Sequence, residues 1–170
     1  MTSTQRRSAI RKRKDVSAIS PETVTFHEQE FRELVQKVQL RDLYMRETRA
    51  ALVTPPEKTP TGNGELVVKP TQTRAQRIDA SLLYCGVRFD IVAEAGPEFP
   101  YHVTIFAEYG LYYDIPADIE FCPDTAAVFA RRNAVFNAWP FFRELVQTTV
   151  GRMGLPPVVL PTFRLSPQPP

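Results

Sequence analysis

The sequence predicts an α+β fold, in which a long, kinked C-terminal helix packs on one face of an antiparallel sheet of about four strands. Three observations predict it. The apolar period changes from 3.6 to two near residue 38, two long alternating segments are then joined by a short Gly/Pro-rich connection, and helical periodicity returns after residue 124. The length of 170 residues fits one domain, and 43% apolar with 24% charged residues is typical of a globular protein.

The first helix is predicted at about 25–37. Thr25 and Glu28 match a capping box, and apolar residues follow at positions 31, 34, 35 and 38, on one helical face. Strands are predicted at 38–53, at 66–69 as a short stub, at 83–93 and at 101–113. The last two are long and closely connected, so they should pair antiparallel.

The C-terminal helix should begin near Thr125, with Asp124 as its N-cap. Pro140 marks a kink, because it has no backbone N–H and biases Trp139 away from the α region. Gly154 is a natural residue to follow the end of the helix. Beyond it, two consecutive prolines predict an extended exit.

The charges divide the chain into a basic tail and a mildly acidic body. Residues 1–14 hold six basic and no acidic residues, whereas the remainder holds 15 basic and 19 acidic ones. We expect residues 1–19 to be disordered, residues 20–165 to form the domain, and the Pro-rich residues 166–170 to be loose. A basic tail can bind phosphates, so a nucleic-acid-binding regulator is one alternative. The tail lacks aromatic residues for base stacking, and no specific nucleic acid is expected.

Residues that carry catalytic or metal chemistry are few. The chain has two histidines, His27 and His102, and two cysteines, Cys85 and Cys122, none at metal-ligand spacing. It has no phosphate-binding loop, nucleophile elbow or zinc-protease motif. We therefore expect no enzyme, no cofactor and no metal. No apolar run approaches the ~20 residues of a membrane helix, and no secretory signal is visible, so we expect a cytoplasmic protein without membrane insertion.

Aromatic residues are the most informative feature of the sequence. The strand at 101–113 carries them on both faces, and a single helix layer can cover only one. We expect the other face to meet another subunit or a bound chain, and some residues to form a groove for extended polypeptide. A small-ligand-binding α+β domain is the alternative. The candidate client-binding residues are Leu43, Tyr44, Phe106, Tyr109, Tyr112, Phe136 and Trp139.

Residues 139–160 resemble the SecB family of protein-export chaperones. The match combines a Pro-aromatic-Arg-Glu run, an Arg near the helix end, and a Pro-Pro pair before an apolar exit. The stretch 38–44 also resembles the first strand of that family. The matching residues are Pro140, Phe141, Arg143, Glu144, Arg152, Leu155, Pro156, Pro157 and Leu160.

The resemblance implies a chaperone that binds unfolded or aggregation-prone polypeptides without ATP, and that assembles as a homotetramer, a dimer of dimers. Family members deliver preproteins to SecA, and some SecB-like members protect an antitoxin in toxin–antitoxin systems. Glu47 could match one of the acids that dock SecA, but Ala51 stands where a second acid is expected. This departure favours a dedicated SecB-like chaperone. Arg143 and Glu144 are interpreted as structural, tying the helix to a loop or a neighbouring subunit.

Overall fold

A computed structural model describes residues 27–53, 65–68, 71–94 and 102–163. The predicted tails, the cap at Thr25 and the connections at 54–64 and 95–101 lie outside these residues. The elements, in chain order, are α1 (Glu28–Lys37), β1 (Gln39–Leu52), β2 (Glu65–Val68), β3 (Gln72–Asp79), β4 (Leu82–Glu94), β5 (His102–Asp114), α2 (Pro123–Phe129), a π-helical segment (Ala130–Ala134) and α3 (Val135–Arg152).

The five strands form one antiparallel sheet. Its order is β1-β5-β4-β2, and β3 pairs with β4 on the same side as β2, at the opposite end of the strand. The predicted α+β architecture is confirmed, but the prediction of about four strands missed β3. Its alternating half-buried positions include Thr73, Ala75 and Arg77, which carry little apolar signal.

The long strands β4 and β5 place their odd-numbered residues on the face that the helices cover, which we call the inner face. Leu83, Val87 and Phe89 of β4 are fully buried there. On β5, burial alternates almost perfectly with sequence position, as a sheet with one covered face requires. The helices complete this core with Phe129, Ala134, Ala138, Phe142, Val146 and Val150.

The segments α2 to α3 follow one another as one helix from Pro123 to Arg152. The helix begins two residues before the predicted start, and Cys122, not Asp124, is its N-cap. Pro140 lies within α3 at an exposed position. The helical hydrogen bonding is irregular upstream of Pro140, in the π-helical segment, where the Val135 N–H donates to the Ala130 carbonyl. Gly154, with φ 72°, follows the end of the helix as predicted.

Residues 155–163, the C-terminal strap, form neither helix nor strand and lie beside α3. Trp139 Nε1 donates to the Pro161 carbonyl at 2.9 Å, and Arg143 Nε donates to the Leu160 carbonyl at 2.9 Å. Leu155 and Leu160 are buried. Arg143 therefore ties the helix to a loop, as its predicted structural role requires. Among the described residues, no helix is long and apolar enough to cross a membrane.

Candidate functional site

The inner face is not evenly covered. The helices contact β3, β4 and β5, and within the described part of the chain they make few or no contacts with β1. Leu40 and Met45 of β1 pair with Tyr113 and Tyr109 of β5, so they lie on the inner face. They are 45% and 42% exposed, which is unusual for apolar side chains on the core side of a sheet.

The flank of α3 that faces β5 borders this uncovered strip. Asn137 Nδ2 donates to Tyr113 Oη at 2.9 Å, which fixes that flank above β5. Phe141 and Leu145 follow one and two turns later on the same flank. Phe141 is 52% exposed. We call the resulting surface the open trough; its apolar residues are Leu40, Leu43, Met45 and Leu52 of β1 with Phe141 and Leu145 of α3.

The candidate client-binding residues are distributed over four environments. Leu43 lies in the open trough, half-buried against the core. Tyr109 and Trp139 are core residues, 1% and 7% exposed, and the C-terminal strap covers Trp139. Phe136 is 55% exposed on the surface of α3. The remaining three, Tyr44, Phe106 and Tyr112, lie on the outer face of the sheet.

Tyr109 has an unusual hydroxyl group. It is buried, and it has no hydrogen-bond partner among the described residues. Burial raises the pKa of Tyr109 to about 12, and the negative charge of Glu144 contributes. The phenol is therefore neutral at physiological pH. It lies directly opposite Met45, at the border between the packed core and the open trough.

The outer face carries an aromatic layer, which we call the tyrosine cluster: Tyr44, Tyr84 and Tyr112. The ring centroids of Tyr44 and Tyr112 lie 6.0 Å apart, and those of Tyr84 and Tyr112 lie 5.3 Å apart. Two glycines, Gly86 and Gly110, pair on this face, where Arg74 lies over Gly86 and Tyr44 lies over Gly110. A Cβ at Gly110 would come within 2.8 Å of the Tyr44 ring, so this glycine lets the ring lie flat across the sheet.

Arginines frame the tyrosine cluster. Arg46 Nη1 and Arg74 Nη2 donate to Tyr84 Oη at 2.8 Å and 3.2 Å, and Arg74 also donates to Glu108 Oε1 at 2.8 Å. No local sequence pattern indicates this network, because the partners are 10 to 38 residues apart. The signal that could have found it is the position of Tyr84 on the outward side of an otherwise buried strand.

Phe106 also meets an arginine on the outer face. The guanidinium of Arg88 lies 4.3 Å from its ring centroid, and Arg88 Nε donates to Asp90 Oδ2 at 2.9 Å. Glu47, the predicted SecA-docking acid, lies on this face too, but its carboxylate pairs with Arg49 at 2.5 Å. Its charge is therefore compensated within the chain.

Two depressions on the outer face bear on small-ligand binding. They measure about 440 and 210 Å³, both are open to solvent, and most of the residues that line them are polar or charged, with Arg88 common to both. A small-molecule site is usually an enclosed, mostly apolar cleft. These two depressions therefore do not favour the small-ligand alternative.

Comparison with known proteins identifies the fold. No protein-family model matches the chain, and no curated protein matches it. A SecB-like chaperone from Mycobacterium tuberculosis, solved in complex with a ChAD peptide from the HigA1 antitoxin, superposes with a TM-score of 0.70 at 18% sequence identity, covering 82% of this chain and 99% of that one. A Streptococcus agalactiae protein of unknown function matches more weakly, with a TM-score of 0.43 at 12% identity over 74% of this chain and 97% of that one. The resemblance carried by residues 139–160 is thus confirmed in three dimensions: this chain has the fold of a SecB-like chaperone.

Proposed function

We propose that the protein is an ATP-independent chaperone that holds extended segments of unfolded or aggregation-prone polypeptides along the open trough. The observation that carries the proposal is the apolar strip of β1 that the helix layer leaves uncovered, with Leu40 and Met45 each more than two-fifths exposed. Contiguous apolar surface of this kind is characteristic of interaction sites. The SecB-like fold supports the same function.

β1 is also an edge strand of the sheet, which suits the binding of an extended peptide. β1 spans 14 residues and pairs only with β5 among the described strands, so the groups along its other edge can accept a further strand. Backbone pairing is independent of client sequence, and the apolar side chains of the trough would add affinity. Each well-buried side chain contributes about 1–3 kcal/mol, and micromolar binding needs about 8 kcal/mol after the costs of association. Several side-chain contacts must therefore act together with the backbone pairing.

The partner class is an aggregation-prone polypeptide, and an antitoxin is our favoured specific client. The M. tuberculosis protein of the same fold was solved with an antitoxin peptide. Docking of SecA is less favoured, because Glu47 pairs with Arg49 and Ala51 is not acidic. We also propose assembly in the cytoplasm as a homotetramer, a dimer of dimers, in which neighbouring subunits contact the outer face.

The test uses dilution of a denaturant-unfolded reporter protein into buffer and follows its aggregation by light scattering. Met45→Asp and Phe141→Ser should each weaken suppression several-fold, because a charge or hydroxyl replaces apolar contact in the open trough. Both side chains are largely exposed, so the free energy of unfolding should change by less than about 1 kcal/mol.

Two matched controls locate the binding surface. Val159→Ser alters an apolar side chain that is 75% exposed on the C-terminal strap and should leave suppression unchanged. Tyr112→Ala alters the outer face and tests the other predicted contacts. If folded trough variants suppress aggregation as well as the parent protein does, the trough is not the binding surface. If Tyr112→Ala alone loses suppression, clients bind the outer face instead.

A further inference from the structure

Three side chains with metal-binding donor atoms meet where α1 begins beside α2. The imidazole of His27, the carboxylate of Glu30 and the thiol of Cys122 lie with their donor atoms within 4.8 Å of one another. Glu30 and Cys122 are 92 residues apart in the chain, so sequence spacing gave no sign of the cluster. The cluster lies outside the open trough and the tyrosine cluster.

Hydrogen bonds already orient two of the three donors. Glu30 Oε2 accepts from the Cys122 N–H at 3.1 Å and from the Thr125 hydroxyl at 3.0 Å. Cys122 Sγ accepts from the Thr125 N–H at 3.4 Å. Thr125 is fully buried, so its groups are fixed points. Outer partners of this kind position metal ligands before the metal arrives.

The third donor lies at the surface, where it can move. His27 is exposed and occupies the N-cap position of α1, but its side chain makes no capping hydrogen bond. Its imidazole can therefore turn toward the other two groups without breaking the helix start.

We propose that His27, Glu30 and Cys122 bind a zinc ion, with a fourth position open to water. A thiolate, an imidazole and a carboxylate are the donors that Zn²⁺ takes, whereas Mg²⁺ and Ca²⁺ require oxygen ligands. Tetrahedral zinc places sulfur and nitrogen ligands about 3.5 Å apart. The donor atoms here lie within 4.8 Å of one another, so a small movement of the exposed His27 side chain would bring them to that spacing. The ion would link α1, which leads directly into β1, to the start of the long helix.

The test uses the full chain after treatment with a chelator, with Co²⁺ as an optical probe and Zn²⁺ as its competitor. We expect one Co²⁺ per chain, a thiolate-to-cobalt charge-transfer band, and displacement of that band by Zn²⁺. Cys122→Ser should abolish the band while keeping a good N-cap, since serine is a preferred residue there. His27→Ala and Glu30→Gln should each weaken binding by at least about tenfold.

The chain supplies its own controls, because it has only two cysteines and two histidines. Cys85→Ala and His102→Gln should leave the cobalt spectrum and affinity unchanged. Zn²⁺ should also raise the Tm of the parent protein but not that of Cys122→Ser. The proposal is wrong if the chelator-treated chain binds no Co²⁺, if the band depends on Cys85, or if His27→Ala and Glu30→Gln bind as tightly as the parent protein.

Discussion

Both faces of strands β4 and β5 carry phenylalanine, but the ring is buried on the inner face and half-buried on the outer face. On the inner face, Phe89 is fully buried and stacks on Phe142 with ring centroids 4.6 Å apart. On the outer face, Phe106 is half-buried, and its ring meets the guanidinium of Arg88. The difference shows that aromatic residues on both faces of a strand do not make two cores. Among the described residues, the face beneath the helices holds most of the buried apolar side chains.

The largest expected effect separates these two faces directly. Phe89→Ala should lower the free energy of unfolding by about 3–5 kcal/mol, because it opens a cavity against Phe142 and Trp139. Phe106→Ala should cost less than about 1.5 kcal/mol, because its ring is half-buried and contacts a partly exposed guanidinium. Urea unfolding followed by circular dichroism measures both values. Equal costs would mean that the outer face is packed as tightly as the inner one, by a second subunit for example.

A smaller effect tests whether the tyrosine cluster depends on the absence of a side chain at Gly110. Gly110→Ala should cost about 1–3 kcal/mol, because the new methyl group would lie 2.8 Å from the Tyr44 ring and must displace it. In a Tyr44→Ala background the same substitution should cost almost nothing, since the ring is gone. A double-mutant cycle in urea gives the coupling energy. An unchanged cost in that background would place the strain in the backbone and not in the tyrosine cluster.

Features that depend on local periodicity could be predicted from the sequence. Residues close together in the sequence determine three such features, and the structure matches each of them. They are the alternation along β5, the apolar stripe of α3 and the turn at Gly154. The strand β3 was not predicted, because the residues on its half-buried side, Thr73, Ala75 and Arg77, do not form an apolar pattern. Its pairing with β4 supplies what its own composition does not.

The site needed information that no local pattern contains. Tyr109 and Tyr112 were predicted together as client contacts, yet one lies in the core and the other on the outer face. The assignment to faces follows from alternation, but how far each face is covered depends on where α3 crosses the sheet. Likewise, His27 and Cys122 become neighbours only because α1 packs on α2. Both facts depend on packing between elements distant in sequence.

The smallest expected effect distinguishes two positions within the inner face itself. Tyr113 and Tyr109 are both buried on β5, but only Tyr113 Oη accepts a hydrogen bond, from Asn137. Tyr113→Phe should therefore cost about 1 kcal/mol, because it leaves the Asn137 amide without that partner. Tyr109→Phe should be neutral or stabilise by up to about 1 kcal/mol, because it removes a buried hydroxyl that has no partner among the described residues.

Urea unfolding of the two variants measures both changes in the free energy of unfolding. Changes of opposite sign would show that the buried hydroxyl of Tyr113 is hydrogen-bonded and that of Tyr109 is not. Tyr113 lies beneath α3, whereas Tyr109 pairs with Met45 at the border of the open trough. A cost of 1 kcal/mol or more for Tyr109→Phe would mean that the hydroxyl has a partner, such as an ordered water that reaches it through the trough. A water molecule at Tyr109 would make the trough beside Met45 polar. The proposed client contacts would then shift toward Leu40 and Leu43 at one end of β1.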